Sequence, residues 1–250
     1  MSRVAVLAPH PDDEVLGCTS VLTGGDDVLV AHVTDGVPVG VTGDAAAELR
    51  AARDTEARDA CRALGARVER FVTLDAHDQE LWSSTAMVAD SICALLRQFP
   101  CAAVYVPAFQ SGHPDHDGLY VAAQLARTRI GDESIRWTCY ALYALDECGT
   151  PGYGWLDPTL FPDVTERSFS IPELARKARA LQTFATQVSP ESVVQAWIDA
   201  PVNERFAPLP ARDAPLPWLR SYYDEVFRFG EFGIDRQTVE QVLRDALAGS

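Results

Sequence analysis

The amino-acid sequence predicts an α/β fold with a doubly wound, mostly parallel sheet. Short apolar segments alternate with longer helical segments through the first two thirds of its 250 residues. This alternation is typical of a parallel sheet with helices on both faces. Hydrophobic residues make up 47% and charged residues 23%, as in an ordinary globular protein. A chain of this length buries about 70–75% of its unfolded surface.

The first half of the alternation extends to residue 65. The apolar run Arg3–Ala8 predicts a buried strand, and Glu14–Leu22 predicts the helix that follows it. Asp27–Val33 predicts a second strand. The Ala-, Arg- and Glu-rich residues 45–64 predict a long helix, which ends at Gly65 because glycine is a common helix terminator.

The second half contains, in order, a strand, a helix, a strand, a helix and a strand. They are Val68–Leu74, Ser84–Gln98, Ala102–Val106, Asp115–Arg127 and Ile135–Leu142. Pro100 closes the first of these two helices, since proline cannot continue a helix. The complete pattern predicts a Rossmann-like sheet with the strand order 3-2-1-4-5.

The last third of the chain predicts a C-terminal irregular subregion. Residues 146–164 combine glycines and prolines with aromatic residues, and a loop of this length inside a compact domain is usually functional. Thr165–Ile171 predicts a strand. Pro172 predicts the start of a helix that extends to about Gln187, because proline is favoured at a first helical position.

The sequence predicts a single domain over residues 1–250. No internal repeat and no clear linker divides it. We expect a core over about residues 3–200 and a C-terminal extension over about residues 201–250. The sequence leaves open whether the chain forms a homo-oligomer.

The chain is strongly acidic, and its composition excludes several classes of protein. Its net charge of −15 lacks the basic surface that binding to nucleic acids or anionic membranes requires. No run approaches the roughly 18 apolar residues of a membrane span, and the apolar stretch at residues 4–8 is too short for a signal peptide. The six cysteines show no CxxC spacing, so we expect reduced thiols in a cytoplasmic protein.

Two segments rich in histidine and acidic residues follow strands one and four of the predicted sheet. Residues 8–14 read APHPDDE and residues 112–117 read GHPDHD; together they hold three of the five histidines and five carboxylates. Strands one and four are neighbours in the predicted order, and the order reverses between them. Because doubly wound folds bind ligands in the crevice at this point, we expect both segments to form one site.

The side chains of the two segments indicate a metal site. Histidine and aspartate suit zinc, and catalytic zinc sites combine three protein ligands with an open position. Pro114, at a first helical position, places His113 and His116 at the same end of one helix. Aspartates at helix starts can also be simple caps, but two such segments at one crevice favour a metal site. His32 and His77 lack such companions, and we interpret them as core or surface histidines.

The two segments resemble the signature pair of the LmbE/PIG-L superfamily of zinc-dependent N-deacetylases, which is (A/P)HPDDE near the N-terminus and HPDH further on. Weaker matches extend the resemblance over roughly residues 3–206. They are Thr34-Asp35-Gly36, Arg53-x-x-Glu56, the helix that contains Lys177, and Glu204-x-Phe206. The resemblance implies one zinc ion per chain. Its ligands would be His10, Asp13 and His116.

The resemblance also implies roles for further polar residues of the two segments. Asp12 would be the general base, because it is adjacent to a ligand without being one. His113 would be a second acid–base group or would stabilise the oxyanion. Asp115 is the candidate carboxylate that orients His113 and raises its pKa. We interpret Glu14 as a capping or supporting residue, and Asp117 as a solvated or capping one.

Four residues outside the two segments are candidate substrate contacts. Arg53 and Asp78 match positions at which family members contact the substrate. The alternatives are an ion pair between Arg53 and Glu56 on a solvated helix face, and a turn role for Asp78. Tyr153 and Trp155 would form a lid or a platform that stacks on a sugar ring, or else a packed aromatic loop.

We therefore expect a zinc-dependent hydrolase that removes an N-acetyl group from a small-molecule amino sugar or amino-sugar conjugate, and does not cleave peptide bonds. An aminoglycoside or another natural-product precursor is compatible with the acidic chain, which favours cationic or neutral ligands. The alternatives are a non-catalytic sugar- or nucleotide-binding module of the same fold and an amidase acting on a thiol–sugar conjugate. The dinucleotide fingerprint is missing after strand one, which argues against a nucleotide-dependent oxidoreductase.

Overall fold

The computed structural model describes residues 2–145, 151–187, 202–216 and 235–249, and contains nine strands and six α-helices within them. The strands are β1 (Arg3–Ala8), β2 (Asp27–Thr34), β3 (Val68–Ala76), β4 (Ala103–Pro107), β5 (Arg136–Tyr140), β6 (Tyr143–Leu145), β7 (Pro151–Tyr153), β8 (Thr165–Ser168) and β9 (Asn203–Pro208). The helices are α1 (Asp13–Leu22), α2 (Gly43–Leu64), α3 (Thr85–Gln98), α4 (Pro114–Ile130), α5 (Ile171–Leu181) and α6 (Arg236–Ala248). A short 3₁₀ helix covers Leu81–Ser83.

The main sheet has seven strands in the order β3-β2-β1-β4-β5-β9-β8. The first five are parallel, which confirms the predicted α/β class and the predicted order 3-2-1-4-5. Strand β9 pairs antiparallel with both β5 and β8. The reversal of strand order between β1 and β4 opens a crevice at their carboxyl ends, because the crossovers on the two sides leave to opposite faces of the sheet.

The chain differs from the prediction mainly in its last third. Strand β5 is shorter than the predicted strand 135–142. Strand β6 pairs with β7, which lies inside the stretch 146–164 that is predicted to be a loop. Strand β9 belongs to the main sheet, although its residues were assigned to the C-terminal extension. Its sequence NERFAP has no apolar run that would mark a strand. Cys148 and the tip of the expected loop lie outside the described residues.

Two apolar layers cover the faces of the main sheet. Along β1, Ala5 and Leu7 pack into the layer formed with α3, α4 and α6, whereas Val4 and Val6 pack into the layer formed with α1, α2 and α5. Successive side chains of a strand point to opposite faces, so both sets are apolar when both faces are covered. The layers fix the two segments that follow β1 and β4.

Helix α1, which carries the first of these segments, is bent in its middle. Cys18 has non-helical dihedral angles (φ −132°, ψ 21°), so backbone groups on both sides of it need other partners. The buried Lys177 Nζ donates to the carbonyl of Leu16 at 2.7 Å, and the buried Glu204 carboxylate accepts from the N–H of Thr19 at 2.7 Å. Lys177 and Glu204 also form an ion pair at 3.0 Å. This pair therefore holds the bent helix.

Five cysteines, Cys18, Cys61, Cys93, Cys101 and Cys139, are free thiols. Among the described residues, no helix is both long enough and apolar enough to cross a lipid bilayer. The free thiols agree with the expectation from the sequence.

We predict that Lys177→Met strongly destabilises the protein. The substitution leaves the Glu204 carboxylate buried without its cation, and breaking a buried pair in this way costs about 3–5 kcal/mol. Urea-induced unfolding followed by circular dichroism measures the change. The control is Arg58→Ala, which removes the exposed ion pair to Asp54 and should change stability by less than about 1 kcal/mol. Equal effects of the two variants would contradict this account.

Candidate active site

The two histidine-rich segments meet at the carboxyl ends of β1 and β4, as the sequence predicts. The ring centroids of His10 and His113 are 4.8 Å apart, and those of His10 and His116 are 5.4 Å apart. All three histidines are buried. Since the segments are about 100 residues apart in the sequence, the strand order alone brings these imidazoles together.

Asp12 occupies the sharp turn between β1 and α1. Its dihedral angles (φ 144°, ψ −32°) are those of glycine, and such a conformation costs of the order of 1–3 kcal/mol in another residue. Asp12 is the N-cap of α1, but its side chain makes no capping hydrogen bond. The simple capping role is therefore absent at Asp12. Strain of this kind is often found where a side chain has to be aimed into a site.

A second close approach fixes the segment that follows β4. A Cβ atom on Gly112 would lie 2.0 Å from the carbonyl oxygen of Tyr143, so only glycine fits there. The next residue, His113, is the N-cap of α4, and its Nδ1 accepts the backbone N–H of Asp115 at 3.1 Å. Pro114 begins the helix, as the sequence predicts.

Two pairs of the predicted ligand atoms are as close as neighbouring ligands of a tetrahedral metal ion. Asp13 Oδ2 lies 3.1 Å from His10 Nδ1 and 3.3 Å from His116 Nε2. Ligand atoms at 2.0–2.1 Å from a tetrahedral zinc ion are about 3.3 Å apart. His116 Nε2 is buried and makes no hydrogen bond of good geometry in the described part of the chain. The donor set therefore fits a divalent ion such as zinc.

Other combinations of side chains in the site could also hold a cation. The ligand atoms of His10, His113 and His116 lie within 4.8 Å of one another, and so do those of His10, Asp78 and Asp115. His113 is a weaker candidate, because its Nδ1 is already occupied by a backbone N–H. The second combination is not evident from the sequence, because Asp78 lies outside both histidine-rich segments.

His10 is held by carboxylates on both ring nitrogens. Opposite Asp13, its Nε2 lies 3.1 Å from Asp78 Oδ1 and 3.2 Å from Asp115 Oδ2. A carboxylate on the second nitrogen of a metal-binding histidine fixes its tautomer and orientation. Asp115 Oδ2 also accepts the N–H of Gln79 at 2.6 Å.

The carboxylate of Asp115 contacts a different histidine from the one that the sequence predicts. The sequence predicted that the carboxylate of Asp115 orients His113, but this carboxylate contacts His10 instead. It is the backbone N–H of Asp115 that donates to His113 Nδ1. The reason is the start of α4: the N-cap position of His113 turns its ring towards the helix backbone, while the Asp115 side chain points towards the loop after β3.

The charges in the site divide the acidic residues into two groups. Although burial opposes ionisation, His116 and His10 hold the pKa of Asp13 far below its usual value. Burial likewise opposes ionisation of Asp78, but His10 keeps its pKa low. For Asp12, burial and the neighbouring Asp13 raise the pKa well above its usual value. Asp13 and Asp78 thus stay ionised, whereas Asp12 exchanges its proton at a higher pH.

His10 and His113 shift in opposite directions. Burial disfavours the charged form of His10, but the carboxylates of Asp78 and Asp115 raise its pKa well above the usual value. Burial and the neighbouring imidazoles of His10 and His116 lower the pKa of His113. Because His113 Nδ1 accepts a hydrogen bond, the proton of the neutral ring is on Nε2. A protonated His113 is therefore disfavoured, which departs from the expectation that a carboxylate would raise its pKa.

Arg53 and Asp78 both lie in the site. Arg53 is buried and donates to the carbonyl oxygen of Gly36 at 2.5 Å and to Asp78 Oδ2 at 3.4 Å. Its Nη2 lies 3.6 Å from Asp12 Oδ2. The alternative ion pair with Glu56 is absent, and Arg53 does not lie on a solvated helix face. Arg53 and Asp78 thus lie beside Asp12 and His10, and their contact with a substrate stays a prediction.

Aromatic residues border the site on one side. The ring of Tyr153 stands edge-on to Tyr143 at 5.6 Å, and Tyr143 lies 5.0 Å from the ring of His116. Trp155 contributes its carbonyl oxygen, which accepts from Gln110 Nε2 at 2.5 Å. The sequence did not single out Tyr143, because it directly follows an apolar strand and no motif marks it.

Two acidic residues are more buried than the sequence suggests. Asp117 is not solvated: it is buried, and its Oδ1 accepts the N–H groups of Gln110 at 3.0 Å and Ser111 at 3.2 Å. Glu14 is also buried and accepts the N–H of Asp12. Both support the loops of the site, and buried carboxylates cannot be distinguished from capping ones by sequence position alone.

Two of the histidines do not belong to the site. His32 is buried in β2, as a core histidine, with its Nε2 3.2 Å from Glu14 Oε2. His77 is exposed, with its Nδ1 3.7 Å from Asp35 Oδ2. Both positions agree with the interpretation from the sequence.

Comparison with known proteins finds one family model and several solved structures. The model described as PIG-L, GlcNAc-PI de-N-acetylase, matches residues 5–126, which include both histidine-rich segments. No curated protein sequence matches the chain.

Three solved structures illustrate the similarity in fold. The zinc-inhibited form of the teicoplanin deacetylase Orf2 is 18% identical, with 83% of this chain and 97% of that chain covered and a TM-score of 0.58. The N,N'-diacetylchitobiose deacetylase of Pyrococcus horikoshii is 20% identical, with 79% of this chain and 74% of that chain covered and a TM-score of 0.58. The 4-carboxy-2-hydroxymuconate hydratase GalB of Pseudomonas putida is 16% identical, with 79% of this chain and 83% of that chain covered and a TM-score of 0.52. At these identities the likeness concerns the fold alone, and a hydratase shares it.

We predict opposite titration behaviour for two histidines of the metal-free protein. The lowered pKa of His113 means that its ring is neutral near pH 6.5 and gains a proton only at lower pH, whereas the raised pKa of His10 keeps that ring charged above pH 6.5. The ¹⁵N chemical shifts of the two imidazoles measure this directly. For His113 they should also show the proton on Nε2. A charged His113 beside a neutral His10 would contradict the assignment.

Proposed function

Because the chain belongs to the LmbE/PIG-L superfamily, we propose that it is a zinc-dependent hydrolase that removes an N-acetyl group from an amino sugar or an amino-sugar conjugate. One observation carries the proposal. The buried Asp13 Oδ2 lies 3.1 Å from His10 Nδ1 and 3.3 Å from His116 Nε2, close enough for each pair to bind one metal ion, and Asp12 directly precedes Asp13. A module that only binds a sugar does not need a donor set of this kind.

His10, Asp13 and His116 would hold the ion, with one ion per chain. When bound, a zinc ion would polarise the amide carbonyl and lower the pKa of a water molecule towards neutrality. The protein contributes the orientation of the ligands. Asp78 and Asp115 fix the tautomer of His10, which leaves its Nδ1 free to coordinate.

Asp12 would act as the general base. Its side chain is 22% exposed, in contrast to the nearly fully buried Asp13, so a water molecule in the crevice can reach it. In the metal-free protein its pKa is raised by burial and by Asp13, and a group with a raised pKa suits the transfer of a proton from water to the leaving amine. Arg53, 3.6 Å away, opposes that rise and keeps the carboxylate available as a base.

His113 would stabilise the oxyanion as a neutral hydrogen-bond donor. Its Nδ1 is bound to a backbone N–H, so the ring presents the Nε2 proton. A preorganised donor of this kind strengthens as the carbonyl oxygen becomes negative. In the overall reaction, the oxygen of water forms a bond to the carbonyl carbon and the C–N bond breaks. The proton passes through Asp12 to the nitrogen, and the products are acetate and the free amine.

The surroundings of the site support a polar, sugar-like substrate. Arg53 and Asp78 offer a donor and an acceptor for hydroxyl groups, while Tyr143 and Tyr153 offer aromatic surface beside His116. The acidic chain would favour a cationic amine product over an anionic one. We propose that Tyr153 and Trp155 contribute to binding of the substrate, together with Arg53 and Asp78.

The direct test is release of acetate by the purified protein. We expect N-acetylated amino sugars or their conjugates to release acetate and a free amine, loss of activity after chelation, and recovery with zinc. A panel that includes a simple N-acetyl sugar, an aminoglycoside precursor and a thiol–sugar conjugate distinguishes the deacetylase from the alternative amidase. Tight binding of such a sugar without any turnover would instead favour the non-catalytic module.

We predict that His116→Ala loses most of its bound metal. The substitution removes one of three protein ligands and leaves an incomplete tetrahedron. Elemental analysis of the purified variant measures the loss. His77→Ala is the matched control, because His77 is exposed outside the site and should keep one ion per chain. Full metal content in His116→Ala would refute the ligand assignment.

We predict that Asp12→Asn keeps the metal and loses activity by about 10²–10⁴-fold, the usual effect of removing a general base. Asparagine has nearly the same shape but cannot accept the proton of water. In the wild type, activity should rise with pH as Asp12 loses its proton. Steady-state kinetics across pH measure both effects. Normal turnover in Asp12→Asn would mean that Asp12 is only structural.

A further inference from the structure

A buried carboxylate lies directly behind the proposed base and has no part in the reaction so far. Glu14 is 0% exposed, and its Oε2 accepts the backbone N–H of Asp12 at 3.0 Å. The same oxygen lies 3.2 Å from Nε2 of His32, which is buried in β2. His32 Nε2 makes no hydrogen bond within the described residues, so the hydrogen bond that Glu14 Oε2 accepts is the one from the Asp12 backbone.

An ordinary helix-capping role does not explain this arrangement. A glutamate in the first turn of a helix is favoured by the helix dipole, but that interaction operates at the protein surface and does not require burial. Full burial of a carboxylate is costly unless the group is well paired. Glu14 Oε1 has no hydrogen-bond partner within the described residues. Since burial of Glu14 is costly, we expect its hydrogen-bonded oxygen, Oε2, to have a functional role.

The paired oxygen acts on the most strained residue of the site. At Asp12, the carbonyl oxygen accepts the N–H groups of Val15 at 2.9 Å and Leu16 at 3.0 Å, while the N–H donates to Glu14. Both peptide groups of Asp12 are thus fixed in a conformation that suits glycine (φ 144°). Fixing these two peptide groups also fixes the direction of the Cα–Cβ bond, and with it the position of the Asp12 carboxylate.

We propose that Glu14 is a positioning residue for Asp12. The inference rests on the proposed function, in which Asp12 is the base. Glu14 has no exposed surface and does not contact the substrate, so it acts only through Asp12. A base has to be held to within about 0.5 Å of its productive position, and a misplacement of about 1 Å can cost about 10²-fold in rate.

A double-mutant cycle tests the inference. We expect Glu14→Ala to lower kcat by about 10–100-fold, with metal content and KM nearly unchanged. In the Asp12→Asn background, Glu14→Ala should cause no further loss, because there is no base left to position. Glu14→Gln should restore most of the activity, since its amide oxygen can accept the Asp12 N–H. A full additional loss in the Asp12→Asn background would overturn the proposal.

Glu204→Gln is the matched structural control. Glu204 is also a buried glutamate bound to α1, but it contacts the N–H groups of Thr19 and Ser20 rather than that of Asp12. This control should lower the melting temperature without a comparable loss of kcat measured well below that temperature. If kcat of Glu14→Ala instead follows its melting temperature as in the control, Glu14 is only structural.

A second readout does not depend on activity. In the metal-free wild type, the Asp12 amide should exchange slowly with solvent, because Glu14 accepts its proton. Exchange should accelerate in Glu14→Ala and stay slow in Glu14→Gln, and a rapidly exchanging Asp12 amide in the wild type would overturn the proposed contact. A wild type that shows slow exchange but hydrolyses no N-acetyl sugar would refute the proposed function, and with it the catalytic role of Glu14. Loss of kcat that adds to that of Asp12→Asn in an active enzyme would refute the positioning role alone.

Discussion

The pairing of buried carboxylates with imidazoles at the carboxyl ends of β1 and β4 is the constraint on which the rest of the site depends. Asp13 lies between His10 and His116, and His10 in turn lies between Asp13 and the pair Asp78 and Asp115. Buried charges are tolerated only when they are paired. Each of these side chains is therefore held by its neighbours, and none can be moved without leaving a charge unpaired. The order of the parallel strands makes this pairing possible, because it brings together two segments that are distant in the sequence.

The sequence predicts the parts of the structure that repeat a local pattern. The five parallel strands follow from apolar runs between helical segments, and the position of the site follows from the reversal of strand order between β1 and β4. The side chains at that reversal can therefore be placed together from the sequence alone. Their pairing could not: Asp115 contacts His10 rather than His113, because the start of α4 decides which way each side chain points.

Other features could not be predicted from the sequence because they depend on packing between distant segments. Arg53 has the spacing of a surface ion pair with Glu56, and only the packing of α2 against the loop after β2 turns it into the site. Strand β9 is a polar sequence that becomes a strand because the edge of β5 is available to it. Tyr143 follows an apolar strand and is brought beside His116 by the close approach of its own carbonyl to Gly112. In each case a long-range contact determines the position of a residue, although its local sequence pattern suggests a different one.

Residues that lie outside the site also hold the helix on which part of the site is built. Lys177 and Glu204 lie beyond the part of the chain that the family model matches, yet they bind the backbone of α1 on both sides of its bend. The first turn of that helix carries Asp13 and Glu14, and the residue before it is the strained Asp12. A straight helix with ordinary caps would be the more stable solution for a segment without a function, since each departure from it carries a cost. The strained turn and the buried acids occur together at the start of this helix, as the proposed roles of Asp12 as base and Asp13 as metal ligand require.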